Sequence, residues 1–230
     1  FKDQVAAHPE AKWRVALVHK NVFSGSGHQE DEETPLFRAT MLPIFKECEI
    51  DLVMQGHDHC YEVIGPVDAD TRTPIKSAIA DVEDVPVNLV NNINGKKGGT
   101  FTVDDGTLYF IGATCGTKRY NPNHKLTMEA DFEKHKVKNY YDLFTGMFGQ
   151  PGRQSYSTFT VEGNMITVNS YKVYEGIDPM LFNTFHIKRT KDHSTQSVNK
   201  NKALKIMQNG SMYIVHDNIT YNAIGQIISN

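Results

Sequence analysis

Three observations on the 230-residue sequence predict an α/β (α+β) fold that is β-rich toward its C-terminus. Two short apolar runs, Trp13-Arg14-Val15-Ala16-Leu17-Val18 and Ile50-Asp51-Leu52-Val53-Met54, have the length of buried strands. The stretch between them carries apolar residues at helical spacing. The second half is dominated by alternating apolar and polar runs divided by turn residues.

The first run ends at His19, and a Ser/Gly-rich stretch follows, Asn21-Val22-Phe23-Ser24-Gly25-Ser26-Gly27-His28, then the acidic Glu30-Asp31-Glu32-Glu33. That composition predicts a loop. Thr34-Pro35 predicts a helix start, because Thr accepts a free amide and Pro at the first turn forfeits no intrahelical bond. Phe37, Met41, Ile44 and Phe45 carry the helix to about Glu49, with a bend expected at Pro43. The second strand then runs into Gly56-His57-Asp58-His59. A helix between neighbouring strands implies a parallel pair. Ligands of such sheets sit at the carboxyl ends of the strands, so both histidine positions converge on one edge.

Leu108 to Ala113 reads as a strand after the Asp105-Gly106 turn, and Asn123 to Asn139 as a polar surface helix or loop. Tyr156–Val161 and Met165–Tyr171 alternate on either side of Glu162-Gly163-Asn164, which predicts a hairpin. Leu181 to Ile187 is a further strand. The main domain is therefore expected over residues 1–189, a polar linker over 190–202 and a small β-hairpin module over 203–230, with turns at Asn209-Gly210 and Asp217-Asn218.

Hydrophobic residues make up 39% and charged residues 22%, enough to build a core and to exclude a disordered, collagenous or coiled-coil chain. A net charge of -3 argues against a nucleic-acid surface, which needs clustered Lys and Arg. No apolar run approaches the ~18 residues of a membrane-spanning helix. The three cysteines, Cys48, Cys60 and Cys115, do not make a disulfide framework. Phe1-Lys2-Asp3-Gln4 has neither an initiator Met nor signal-peptide character, so a cut upstream is expected.

Gly56-His57-Asp58-His59 is the strongest chemical signal. Histidines at i and i+2 on a strand face opposite ways. The glycine breaks the pleat and lets both imidazoles turn toward one point. Imidazole suits Zn, Fe and Mn, and His19 closes the neighbouring strand. Cys60 reads as a small buried hydrophobe beside this motif rather than a ligand.

Residues 12–175 resemble the second half of a calcineurin-like metallophosphoesterase domain, with purple acid phosphatase-like proteins most similar. Val18-His19, the helix, and Ile50 to His59 followed by Tyr61-Glu62 carry the resemblance; Gly106 to Ala113 and Tyr156 to Tyr171 extend it. The resemblance implies the C-terminal half of a four-layer α/β/β/α sandwich and hydrolysis of phosphate esters at a dinuclear centre of divalent or trivalent ions (Fe, Zn or Mn). It implies His19 and His57 as ligands of one metal and His59 of the other. His28 would contact the phosphoryl group and protonate the leaving group, Asn21 would face substrate, and Asp58 would support the ligands from behind.

The family's earlier motifs are missing. Asp3 is followed by Gln4-Val5 rather than forming Asp-x-His, and no Gly-Asp-x-x-(Asp or Tyr) or Gly-Asn-His occurs. Three imidazoles without a bridging carboxylate are expected to hold at most one ion and to leave this chain poorly active. An unpaired strand edge beside Trp13 to Val18 predicts either a dimer or a retained N-terminal fragment. Two other readings are a phosphodiesterase or nucleotidase of the same superfamily and a non-catalytic β-rich surface binding module. The tail, with Tyr221-Asn222-Ala223-Ile224-Gly225, resembles C-terminal modules of bacterial surface proteins, which implies a secreted, periplasmic or cell-surface location.

Overall fold

The chain begins with a short helix, α1 (Lys2–Ala7), and the apolar run after it forms β1 (Val15–Leu17). The structure is a computed structural model and describes residues 1–86, 94–122, 140–193, 204–208, 211–216, 219–222 and 227–229. The helix α2 spans Thr34–Glu47 and leads into β2 (Leu52–Met54). The expected parallel pair is present, with Val15 opposite Leu52 and Leu17 opposite Met54.

Two features of α2 differ from expectation. Its first turn is not capped by Thr34: the preceding residue is Glu33, and the Thr34 hydroxyl donates to the His28 carbonyl at 3.0 Å. Its buried stripe is Thr34, Arg38, Leu42 and Phe45, whereas Phe37, Met41 and Ile44 are only partly buried. Arg38 belongs to that stripe because its polar end is used: Nε donates to the Val22 carbonyl at 2.8 Å and the guanidinium lies over the Phe23 ring. Pro43 lies inside the helix without ending it.

The first sheet continues with β3 (Tyr61–Asp68) and β4 (Thr73–Pro74). After β5 (Ile79–Asp84) and β6 (Lys96–Thr102) come β7 (Thr107–Gly112) and, later, β8 (Phe148–Gly149). The strand order is β1-β2-β7-β3-β4, with β8 beside β3. Strands β1, β2 and β7 are parallel and β3 runs against them. The second sheet is β5-β6-β11-β10-β9, where β9 (Ser155–Glu162) and β10 (Met165–Lys172) form the expected hairpin and β11 (Met180–Lys188) pairs beside it.

Alternation along the strands divides the core. Val53, Ile64 and Tyr109 pack with Leu42 and Phe45 of α2, whereas Leu52, Leu108 and Phe110 pack with Ile166, Val168, Phe185 and Ile187 of the second sheet. The described layers are thus helix, sheet, sheet.

Residues 1–193 and 194–230 are separate compact units. Residues 190–193, expected as the start of the linker, are held to the first unit. Thr190 N donates to Asp104 Oδ1 at 2.8 Å, and His193 Nδ1 lies 3.3 Å from Glu49 Oε2. The second unit, expected as a small β-hairpin module, contains a four-stranded antiparallel sheet, β12 (Leu204–Gln208), β13 (Ser211–His216), β14 (Ile219–Asn222) and β15 (Ile227–Ser229). The predicted Asn123–Asn139 surface element and the Asn209-Gly210 and Asp217-Asn218 turns lie outside the described residues.

Candidate metal centre

His19 lies beyond the carboxyl end of β1, His57 and His59 beyond that of β2 and Tyr120 beyond that of β7, the edge where open α/β sheets bind ligands. His19 follows β1, and the Gly56 amide after β2 donates to the His19 carbonyl at 3.2 Å. A Cβ at residue 56 would meet the His19 carbonyl oxygen at 3.4 Å, an ordinary contact, so the approach does not itself require the glycine. The break in the pleat is made by His57 itself, at φ 70, a left-handed conformation unusual for a non-glycine residue. Its ring therefore turns back onto β1, with Nδ1 3.2 Å from His19 Nε2.

The other face of His57 meets His28, ring centroids 3.9 Å apart. His28 stands on a 3-10 turn, Gly27–Glu30, and its amide donates to Asp58 Oδ1 at 3.3 Å. Tyr120, in the loop after β7, packs edge-on against His28 and stacks on His59 at 4.9 Å. His59 donates Nδ1–H to the Lys118 carbonyl at 2.8 Å. The four histidines named from the sequence therefore form one wall in the order His19, His57, His28, Tyr120, His59. His59 reaches it only through Tyr120, and among the described residues it joins no group of three ligand atoms.

Behind the wall are two buried carboxyl groups. Asp58, expected as a supporting residue, is buried with Oδ2 unpartnered, and desolvation raises its carboxyl above the ordinary range. Glu62 on β3 accepts from the Ser24 hydroxyl and the Gly25 amide, both at 3.0 Å. Burial, then the nearby Asp58 charge, pushes Glu62 well above the ordinary range. Asn21 is buried, with its Nδ2 unpartnered. Burial, then His28 and His19, hold the His57 imidazole below its ordinary value, which favours the neutral, metal-binding form. Cys60 is fully buried, its thiol directed at the Tyr120 carbonyl, in keeping with the hydrophobe reading.

Sequence reasoning passed over Asp31 and Tyr120. Asp31 was hidden in an acidic run; its Oδ2 lies 3.1 Å from His28 Nδ1 and 4.0 Å from His57 Nε2. Nothing local marks Tyr120, whose hydrogen-bonding partners lie 30 to 92 residues away.

No family model matches the chain. Purple acid phosphatase 3 of Arabidopsis thaliana is 37% identical over 62 residues, 27% of this chain and 16% of that protein. An uncharacterised protein of Mycobacterium tuberculosis is 32% identical over 108 residues, 44% of this chain and 20% of that protein. A solved purple acid phosphatase from yellow lupin (Lupinus luteus) seeds matches 86% of this chain and 28% of its own, at TM-score 0.51 and 14% identity. The chain has a purple acid phosphatase fold.

The chain spans only 16–28% of the length of these three proteins. Imidazole and carboxylate, the donors gathered here, are ligand types for borderline metal ions. His59 Nδ1 is engaged by the Lys118 carbonyl, leaving its Nε2 as a ligand atom, while His57 Nδ1 and His19 Nε2 face each other at 3.2 Å, with His57 Nε2 on the side of Asp31. Among the described residues one group of three ligand atoms lies within 4.8 Å: His28, Asp31 and His57.

Proposed function

We propose that this chain supplies one wall of a metal-dependent phosphoesterase centre, hydrolysing phosphate esters. The observation that carries the reading is the contiguous histidine wall at the carboxyl ends of parallel strands. In this reading His19 and His57 hold one ion and His59 a second, Fe, Zn or Mn. Ions held there would supply a hydroxide near neutral pH and stabilise charge on the phosphate ester. His28 points across the wall, hydrogen-bonded to Asp31, and gives a proton to the leaving oxygen. Asp58 holds the His28 amide in place, and Asn21 lines the substrate side. The described residues lack a bridging carboxylate between two such ions, so the chain alone keeps at most one, and a further segment or a second copy completes the centre. An exported location goes with this reading through the resemblance of the C-terminal module.

The test is hydrolysis of p-nitrophenyl phosphate and bis(p-nitrophenyl) phosphate with added Fe, Zn or Mn, by this chain and by a longer polypeptide containing it. The longer protein should turn over at about 1–10³ s⁻¹, and His57→Asn should abolish it. This chain alone should be slower by orders of magnitude. Preference between the two esters separates a monoesterase from a diesterase. Metal binding without hydrolysis in the longer protein would favour the binding-module reading.

A further inference from the structure

We propose that His28, Asp31 and His57 form a mononuclear site for a borderline divalent cation such as Zn²⁺, distinct in its ligand set from the His19, His57 and His59 wall. The inference stands on donor geometry and not on the reaction proposed above.

Two imidazoles and one carboxylate are a common donor set for such ions, with positions left open for water or an anion. Zinc–ligand bonds of about 2.0–2.2 Å put neighbouring ligand atoms roughly 3.3 Å apart. His28 Nδ1 and Asp31 Oδ2 are already 3.1 Å apart, and Asp31 Oδ2 is 4.0 Å from His57 Nε2. The Asp31–His57 gap to be closed is less than 1 Å, all three ligand atoms lie within 4.8 Å of one another, and all three side chains are about one-third exposed, free enough to close in.

The neighbours set the right nitrogens. When His57 gives its Nδ1–H to His19 Nε2, its Nε2 lone pair faces Asp31. His28 turns Nδ1 to Asp31 while Nε2 lies 3.5 Å from the Tyr120 hydroxyl, which can take the Nε2 proton. Asp31 lies one turn before α2 and three residues from His28, so the 3-10 turn that presents the imidazole also presents the carboxylate. One carboxylate against a dication leaves a net single positive charge. Lys20, 3.7 Å from Asp31 Oδ2, opposes binding, but it is also paired with Glu33.

His57 cannot give both ring nitrogens to separate ions while remaining a neutral imidazole, so this site and the wall site exclude each other. Occupancy here also takes His28 out of use as a proton donor. Excess Zn²⁺ is therefore expected to inhibit a longer, active form of the protein.

The test is Zn²⁺ affinity of the 230-residue chain, by competition with a chromophoric chelator, with Co²⁺ absorption reporting coordination. One Zn²⁺ should bind per chain. Asp31→Asn should weaken it at least about tenfold, Lys20→Ala should tighten it, and His59→Asn should leave it within about twofold. Thermal melts of each variant separate a lost ligand from lost folding; Asp31 is surface-exposed enough that Asp31→Asn should melt like the parent. Asp31→Asn binding Zn²⁺ as the parent does, loss of binding on His59→Asn instead, or no Zn²⁺ bound by the parent would each overturn the proposal.

Discussion

Glu62 Oε1 accepts the Gly25 amide at 3.0 Å, across 37 residues of sequence. The contact ties β3, immediately after the histidine motif, to the loop that carries His28. The same oxygen accepts the Ser24 hydroxyl, and Ser24 Oγ accepts the Ser26 amide at 3.1 Å. The Gln29 side chain accepts the Ser24 amide at 2.7 Å. A single buried carboxyl therefore sets the path of residues 24–29.

The first prediction concerns the charge on that carboxyl. Burial raises Glu62 well above its ordinary value in the folded chain. A group raised on folding contributes its full stability below the unfolded value, near 4.3. The contribution is lost as pH rises toward the folded value. Glu62→Gln cannot ionise and keeps the acceptor for Ser24 and Gly25. Its melting temperature, measured with metal chelated, should gain on the parent as pH rises from 5 to 9. Glu62→Ala should melt lower at every pH, because two donors lose their acceptor. Parallel melting curves for Glu62→Gln and the parent across that range would show that Glu62 is already ionised in the fold.

A second prediction lies at the opposite end of the strands. Asp51 is fully buried and pairs with Arg189, accepts the Arg14 amide at 2.7 Å, and lies 3.1 Å from His193 Nε2. Arg14 and His193 also meet Glu49. Removing one partner of a buried ion pair leaves the other charge uncompensated, at a cost of about 3–5 kcal/mol. Asp51→Ala should therefore lower the melting temperature by roughly 6–20 °C, at ~2–4 °C per kcal/mol for a domain of this size. Lys191→Ala, which removes an exposed pair with Asp105, should leave the melting temperature nearly unchanged. Equal effects of the two substitutions would mean that Asp51 is not the tie between β2 and the end of β11.

The strand–helix–strand order and the histidines at its ends are legible in the sequence because they depend on local periodicity and on the rule for open α/β sheets. The 156–171 hairpin is legible for the same reason, since its turn and alternation lie within one short segment. Asp31, Tyr120 and Glu62 are not, because their roles arise from contacts 3, 92 and 37 residues away that periodicity does not report. Arg38 misleads in the other direction: a charged residue reads as exposed, yet a carbonyl and an aromatic face let it sit in the core. Thr34 has the composition of a cap, but its hydroxyl goes to His28, which a composition rule cannot foresee.

Thiol chemistry gives a third prediction. Cys48 and Cys60 are buried and desolvation raises both thiols above the ordinary range, whereas Cys115 is exposed. The thiolate is the reactive form. One equivalent of a disulfide reagent such as DTNB should react with the native chain at pH 8, and three in denaturant. Cys115→Ser should bring the native count to none. Rapid native reaction of a second thiol would mean that the wall around Cys60, closed by the Tyr120 carbonyl, opens freely.

The last prediction tests the loop from its other side. A Cβ on Gly25 would lie 2.0 Å from Phe148 Cζ, well inside contact distance. Phe148 cannot move aside easily: it is fully buried and stacked on Phe144, with centroids 4.1 Å apart. β8, which carries it, also pairs with β3 so that Phe148 lies opposite Glu62. The loop is thus held between a carboxyl that draws it in and a ring that limits its approach. Gly25→Ala must push the loop outward or strain the ring, and overpacking of this kind costs about 1–3 kcal/mol. The displacement should reach His28, three residues on, and shift its imidazole NMR resonances while those of His186 on the second sheet stay put. Phe148→Leu vacates part of the ring's space. In the Gly25→Ala background it should cost less than it does alone, a coupling that a double-mutant cycle reads directly. Strict additivity of the two substitutions, with His28 resonances unmoved, would mean that the ring does not set the position of the loop.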